Sequence, residues 1–200
     1  MKISMKKIVT FFCVVVIGFG PVFLAHPAPC EQEAITTLLL VRHAEKAASI
    51  WEDPGLTPSG AARADELAYI LKHVKLDAVY STPFKRTKMT ASPTAKEKGL
   101  EVKLYNTKED GFLKKVIREF HGGTVLIVGH SNTIPRMANA LEGRPIYSDL
   151  DDATYDNLFI ASVPAEGKAV LLRLRFGDRT PEKKRSILPL SLMKNSGHKE

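Results

Sequence analysis

Cysteine is nearly absent: the 200 residues hold two, Cys13 and Cys30. That excludes a disulfide-stapled scaffold, and it excludes a cysteine-based zinc site in the body of the chain. A basic surface is also lacking, despite a formal net charge of +7. Lys2, Lys6 and Lys7 put +3 into residues 1–7, and residues 179–200 carry six Lys/Arg against Glu182 and Glu200. Between them, residues 8–178 hold 20 Lys/Arg and 20 Asp/Glu. A neutral body is not built to grip a polyanion, so nucleic acid is not an expected partner. Internal repeats are missing as well. With 44% hydrophobic residues the chain has enough apolar mass for a core, which excludes disorder as its main state. The length suits one domain of ordinary size.

The charge at the amino end has its own explanation. The three lysines precede Ile8–Ala25, an uncharged run of 18 residues with Gly18, Gly20 and Pro21 near its close. A basic start, an apolar middle and small residues around Ala25 and Ala28 read as a secretory signal over residues 1–28. The same run sits at the short end of spanning length, so an uncleaved membrane anchor is the second reading. Lipidation of Cys30 is the third. Each places the body outside the cytoplasm, in the periplasm or on the outer side of the inner membrane. A body of residues 31–178 without further cysteine is consistent with that compartment. The basic tail, 179–200, contains the apolar patch Ile187–Met193 and shows no clear element, so disorder is expected there.

From residue 35 the pattern alternates. Ile35–Val41 is a short, nearly all-apolar run, as expected of a strand covered on both faces. Thr57 and Pro58 predict a helix start by N-cap and first-turn proline chemistry, with Ala64, Leu67, Ala68 and Leu71 on one face. Leu76–Tyr80 and Val102–Tyr105 are expected strands, and Lys85–Lys96 a helix disturbed at Pro93. Leu113, Val116, Ile117 and Phe120 mark another helix, ended by His121-Gly122-Gly123. Thr124–Val128 is the second fully apolar run, Pro135–Leu141 is helical, and Leu158–Val163 with Ala169–Phe176 reads as a hairpin. Strands separated by helices predict an α/β three-layer sandwich around a mostly parallel sheet.

In such a sheet, ligands sit beyond the carboxyl ends of the strands. Both fully apolar runs end in histidine: Leu40-Val41-Arg42-His43 and Ile127-Val128-Gly129-His130. The strand ending near Tyr80 leads into Ser81-Thr82-Pro83-Phe84-Lys85-Arg86-Thr87, which brings a second arginine to the same edge. Two arginines and two histidines converging on one crevice call for an anion. The guanidinium fork matches phosphate oxygens, and imidazole supplies a nucleophile or a further donor.

These residues carry a resemblance. Arg42-His43-Ala44-Glu45, the stretch Ser81–Ala91 and Val128-Gly129-His130-Ser131-Asn132 resemble the three motifs of the histidine phosphatase superfamily, in its phosphoglycerate mutase-like branch. Leu56-Thr57-Pro58-Ser59-Gly60 is similar to the helix start that follows the first motif. The likeness runs over residues 35–176, and Tyr155-Asp156-Asn157-Leu158 resembles a segment of small exported bacterial members. It implies that His43 is the nucleophile, that Arg42 and Arg86 hold the phosphoryl oxygens, and that His130 is a further donor. Ser131 and Asn132 would add donors at the wall of the phosphate pocket. The implied activity is hydrolysis of a phosphate monoester or phosphoramidate through a phosphohistidine, on a small phosphorylated substrate or a phosphorylated envelope component. No metal and no other cofactor is implied.

Three departures accompany the likeness. Ala44 stands where the family usually has glycine. The family's glutamate proton donor lies in an insert after the second arginine, and the corresponding stretch here, Tyr105–Gly111, is short. Glu45, or Glu109 or Asp110, could take that role, or no dedicated acid exists. The body is also too short for a mutase lid, so mutase activity is not expected. Asp149, Asp151 and Asp152 read as a solvated loop rather than a metal site. The alternative function is a non-catalytic phospho-ligand binding protein of the same fold.

Overall fold

The structure is a computed structural model and describes residues 34–48 and 53–180. The expectations for residues 1–28 and for most of the 179–200 tail lie outside the described residues.

Six strands form one sheet in the order β3-β2-β4-β1-β5-β6. They are β1 (Thr36–Arg42), β2 (Ala78–Ser81), β3 (Val102–Leu104), β4 (Thr124–Gly129), β5 (Asn157–Val163) and β6 (Val170–Arg175). The pairs β2–β3, β2–β4 and β1–β4 are parallel, whereas β5 is antiparallel to both β1 and β6. The helices are α1 (Pro58–Ile70), α2 (Lys85–Glu97), α3 (Phe112–Glu119) and α4 (Thr133–Glu142). This is the expected α/β architecture with a mostly parallel mixed sheet.

Alternation along the strands divides the core. Leu38, Leu40, Val125 and Ile127 point to the face that also buries Val116 of α3 with Ile134 and Ala138 of α4. Leu39, Val41, Leu126 and Val128 point the other way, onto Leu67 of α1 and Ala91 and Ala95 of α2. Both central strands are thus apolar on both faces, over Leu38–Val41 and Val125–Val128, because both faces are covered. The outer strand is different: Val170, Leu172 and Leu174 of β6 are exposed.

Local chemistry sets the helix ends. Thr57 is the N-cap of α1, its hydroxyl accepting from Gly60 N at 3.0 Å, and Pro58 opens the first turn. Gly60 lets α1 approach the loop after β1, because a Cβ there would lie 2.4 Å from the Glu45 carbonyl oxygen. The helix expected over Lys85–Lys96 is α2, which contains Pro93 and runs on to Glu97. The burial of Thr90, Ala91, Thr94 and Ala95 around it shows tertiary packing outweighing the lost backbone bond.

Candidate active site

The register of β1 on β4 places Val41 opposite Val128 and Arg42 opposite Gly129. The two apolar runs therefore end side by side, and His43 N donates to Gly129 O at 2.9 Å. Chain direction brings the residues after β2 to the same edge. The rings of His43 and His130 meet edge-on with centroids 5.5 Å apart.

His43 is buried, and its Nδ1 lies 2.7 Å from the carbonyl oxygen of its neighbour Ala44. A carbonyl only accepts, so Nδ1 carries the proton and Nε2 keeps its lone pair. Burial, with Arg42 and Arg86 nearby and against the pull of the Ala44 carbonyl, lowers its pKa to about 3. The imidazole is neutral at physiological pH and is a nucleophile in form. Burial and the same two arginines lower the pKa of His130 to about 4.

Arg42 is held from the far side of the sheet edge. Its Nη1 donates to the carbonyls of Asp151 at 2.7 Å and Thr154 at 2.9 Å, and its guanidinium lies 4.2 Å from the Tyr155 ring centroid. Arg86 lies 4.5 Å from the Phe84 ring, with Nη1 3.7 Å from Asp53. What these anchors leave over is informative. Arg42 Nε and Arg86 Nε are both buried without a hydrogen-bond partner among the described residues. Two buried cationic donors beside two neutral imidazoles fit a bound oxyanion, which would satisfy both.

Glu45 lies at the same end of the sheet but is engaged elsewhere. Its Oε1 and Oε2 both lie 3.0 Å from Arg63 Nε, and Oε1 lies 2.8 Å from Nη2. Arg63 also donates to the carbonyls of Phe176 and Asp178, so the pair braces α1 against the residues after β6. A cavity of about 790 Å³ opens there, lined by Glu45, Arg63, Glu66, Tyr155 and Thr180 among others. Glu109 and Asp110 line a different groove, shared with Phe112, Arg136 and Met137 but not with either site histidine. Asn132 caps α4, is exposed and makes no side-chain cap bond, while Ser131 O accepts from Leu150 N.

Several contributors escaped the sequence reading. Tyr155 has no sequence signal beyond its segment, yet its ring lies 6.0 Å from that of His43 and against Arg42. The 149–152 loop supplies a carbonyl to Arg42 where only a solvated turn was expected. Arg63, on the apolar face of α1 beside Ala64 and Leu67, was a signal: a charge in that position needs a buried partner. Thr90 links the elements, its hydroxyl accepting from Ala44 N at 2.9 Å and donating to Arg86 O at 2.8 Å.

Comparison with known proteins points the same way. The model of the histidine phosphatase superfamily (branch 1) matches residues 38–110, which include Arg42, His43 and Arg86 but stop short of His130. Phosphoserine phosphatase 1 of Hydrogenobacter thermophilus is 40% identical over 94 residues, 42% of this chain and 39% of that protein. The match thus spans well under half the length of that relative. The protein histidine phosphatase SixA, solved with tungstate, aligns with a TM-score of 0.58 at 18% identity, over 70% of this chain and 96% of its own. Phosphoserine phosphatase of Entamoeba histolytica, solved with 3-phosphoglyceric acid, aligns with a TM-score of 0.56 at 20% identity, over 72% of this chain and 98% of its own. At these identities the solved structures establish the fold. Over residues 38–110, then, this chain is similar to the histidine phosphatase superfamily (branch 1), and it shares its fold with the solved phosphatases.

Proposed function

We propose that the chain is a phosphatase that hydrolyses phosphate monoesters or phosphoramidates through a phosphohistidine on His43. In the first step the Nε2 lone pair forms the N–P bond, and the bond from phosphorus to the leaving oxygen or nitrogen breaks. In the second, water forms a P–O bond and the N–P electron pair returns to Nε2, releasing phosphate. Splitting one displacement in two lowers each barrier. Arg42 and Arg86 meet the charge on the phosphoryl oxygens in fixed positions, so the reading needs no metal. Asn132 would add a further donor to substrate.

The single observation that carries this reading is the pairing of a neutral, Nδ1-protonated His43 with two buried, unpartnered arginine Nε donors. The names of the similar proteins, a phosphoserine phosphatase and a protein histidine phosphatase, favour a phosphorylated small molecule or phosphohistidine as substrate. Residues 1–28 favour action outside the cytoplasm. Hydrolysis of p-nitrophenyl phosphate by the full chain, unchanged by a chelator, is the expected result. Tungstate binding without any turnover would favour the non-catalytic phospho-ligand binding protein instead.

A further inference from the structure

His43 and His130 are held in opposite tautomers, and the hydroxyls behind His130 decide which. Thr87 Oγ1 lies 2.8 Å from Phe84 O and 3.1 Å from Thr82 O, both carbonyls that only accept. The one hydroxyl hydrogen of Thr87 is therefore committed to backbone. At 2.7 Å from Thr82 Oγ1 it must accept, so the hydrogen of Thr82 points at Thr87. Thr82 Oγ1 lies 3.0 Å from His130 Nε2, and with its own hydrogen turned away it accepts there too. Nε2 of His130 thus carries the proton. Thr82 and Thr87 are both fully buried, so water does not compete for these positions.

The only other polar atom of the ring is Nδ1, which has no hydrogen-bond partner among the described residues. Around the ring stand His43 and Arg42 from the end of β1, Phe84 edge-on at 5.2 Å, Arg86 from α2, and Thr133 of α4, which accepts from His130 N. The charges acting on His130 are those two arginines. A neutral Nε2–H imidazole presents a lone pair at Nδ1, and a lone pair facing an oxyanion repels it.

We propose that Thr82 and Thr87 are positioning residues that lock the proton of His130 on Nε2, so that a phosphate-like dianion is bound with uptake of one proton at Nδ1. The proton comes from solvent; the Nδ1–H bond forms, and the resulting imidazolium donates to the oxyanion. His130 becomes a donor only in the occupied site. The inference rests on the phosphatase reading only in placing the phosphoryl group beside Nδ1. By linkage, affinity for a dianion falls about tenfold per pH unit while the free ring is neutral and the bound ring charged.

Two measurements test this on the full chain. Long-range ¹H–¹⁵N NMR at about pH 7.5, assigned by loss of signals in His130→Gln, is expected to show His130 protonated on Nε2. Calorimetric titration with tungstate in buffers of differing ionisation enthalpy is expected to show uptake of about one proton, with the tenfold slope. Thr82→Val removes the acceptor, shifts the proton to Nδ1 and flattens the pH dependence, whereas Thr82→Ser retains both signatures. Thr87→Val frees the Thr82 hydroxyl to donate to Nε2 and changes the signals as Thr82→Val does. A wild-type His130 protonated on Nδ1, or tungstate binding without proton uptake, overturns the proposal. Turnover of p-nitrophenyl phosphate is read separately: its absence alongside intact proton-linked binding defeats the phosphatase reading alone.

Discussion

At the scale of single residues, the proposed nucleophile and its proposed clamp are held by separate contacts. His43 is fixed by one short bond to Ala44 O, and Arg42 by two backbone carbonyls and the Tyr155 ring. Removing the nucleophile should leave the clamp standing. His43→Ala is expected to lower turnover by at least about 10³-fold while tungstate affinity stays within roughly tenfold. Arg86→Lys keeps the charge but loses the planar fork, and a fall in kcat of about 10²-fold is expected. Substantial hydrolysis by the alanine variant would remove the covalent route. Glu45 divides two pictures. As a brace for Arg63, its replacement by Gln lowers the melting temperature and slows alkyl and aryl phosphates alike. As a proton donor, it would slow alkyl esters far more, since a poor leaving group needs the proton and general acid help contributes about 10²–10⁴-fold. The bidentate pair with Arg63 favours the first outcome.

Elements act here as holders of one loop. Residues 43–46 lie between α1 and α2, and each helix grips their backbone at a point where a side chain would change the fit. On the α1 side, Gly60 permits contact with Glu45 O, and Thr57 N donates to that same carbonyl at 2.9 Å. On the α2 side, Thr90 bonds Ala44 N. Gly60→Ala forces backbone apart and should cost about 1–3 kcal/mol of unfolding free energy, measurable by denaturant titration. Turnover should fall further than stability alone explains, because the displaced loop carries His43. An unchanged kcat in a folded Gly60→Ala protein would show that the loop is positioned by β1 alone.

For the whole molecule, a buried and a half-buried neutral histidine at a sheet edge have a consequence for acid stability. An unfolded histidine titrates near 6.5, whereas His43 and His130 in the folded protein titrate near 3 and 4. Below 6.5 the unfolded chain takes up protons that the folded one refuses, so stability is full above that pH and falls on acidification. His43 contributes up to about 1.4 kcal/mol per pH unit over that window. The melting temperature is expected to drop between about pH 6.5 and 4, and His43→Asn should reduce the slope. A bound oxyanion stabilises the folded state throughout, by mass action.

The sequence alone determined the strand and helix alternation, because the signals are local: apolar runs for strands buried on both faces, a threonine-proline start for α1, glycines at the turns. It also pointed to four residues that meet at one edge, since a histidine after each central strand, the arginine that ends β1 and an arginine after β2 must reach the same end of a parallel sheet. Even the departures were visible, Ala44 and the short stretch before α3 among them. Only the tertiary structure decided what each side chain does with its neighbours. Glu45 could not be told apart as brace or acid until Arg63, 18 positions on, was seen against it. Asp149, Asp151 and Asp152 read as a solvated loop because a carbonyl that receives Arg42, as that of Asp151 does, has no side-chain signature. The tautomers of His43 and His130 were likewise beyond reach. A proton's place on an imidazole is set by the acceptors within about 3 Å of each nitrogen, and those come from residues that only folding brings together.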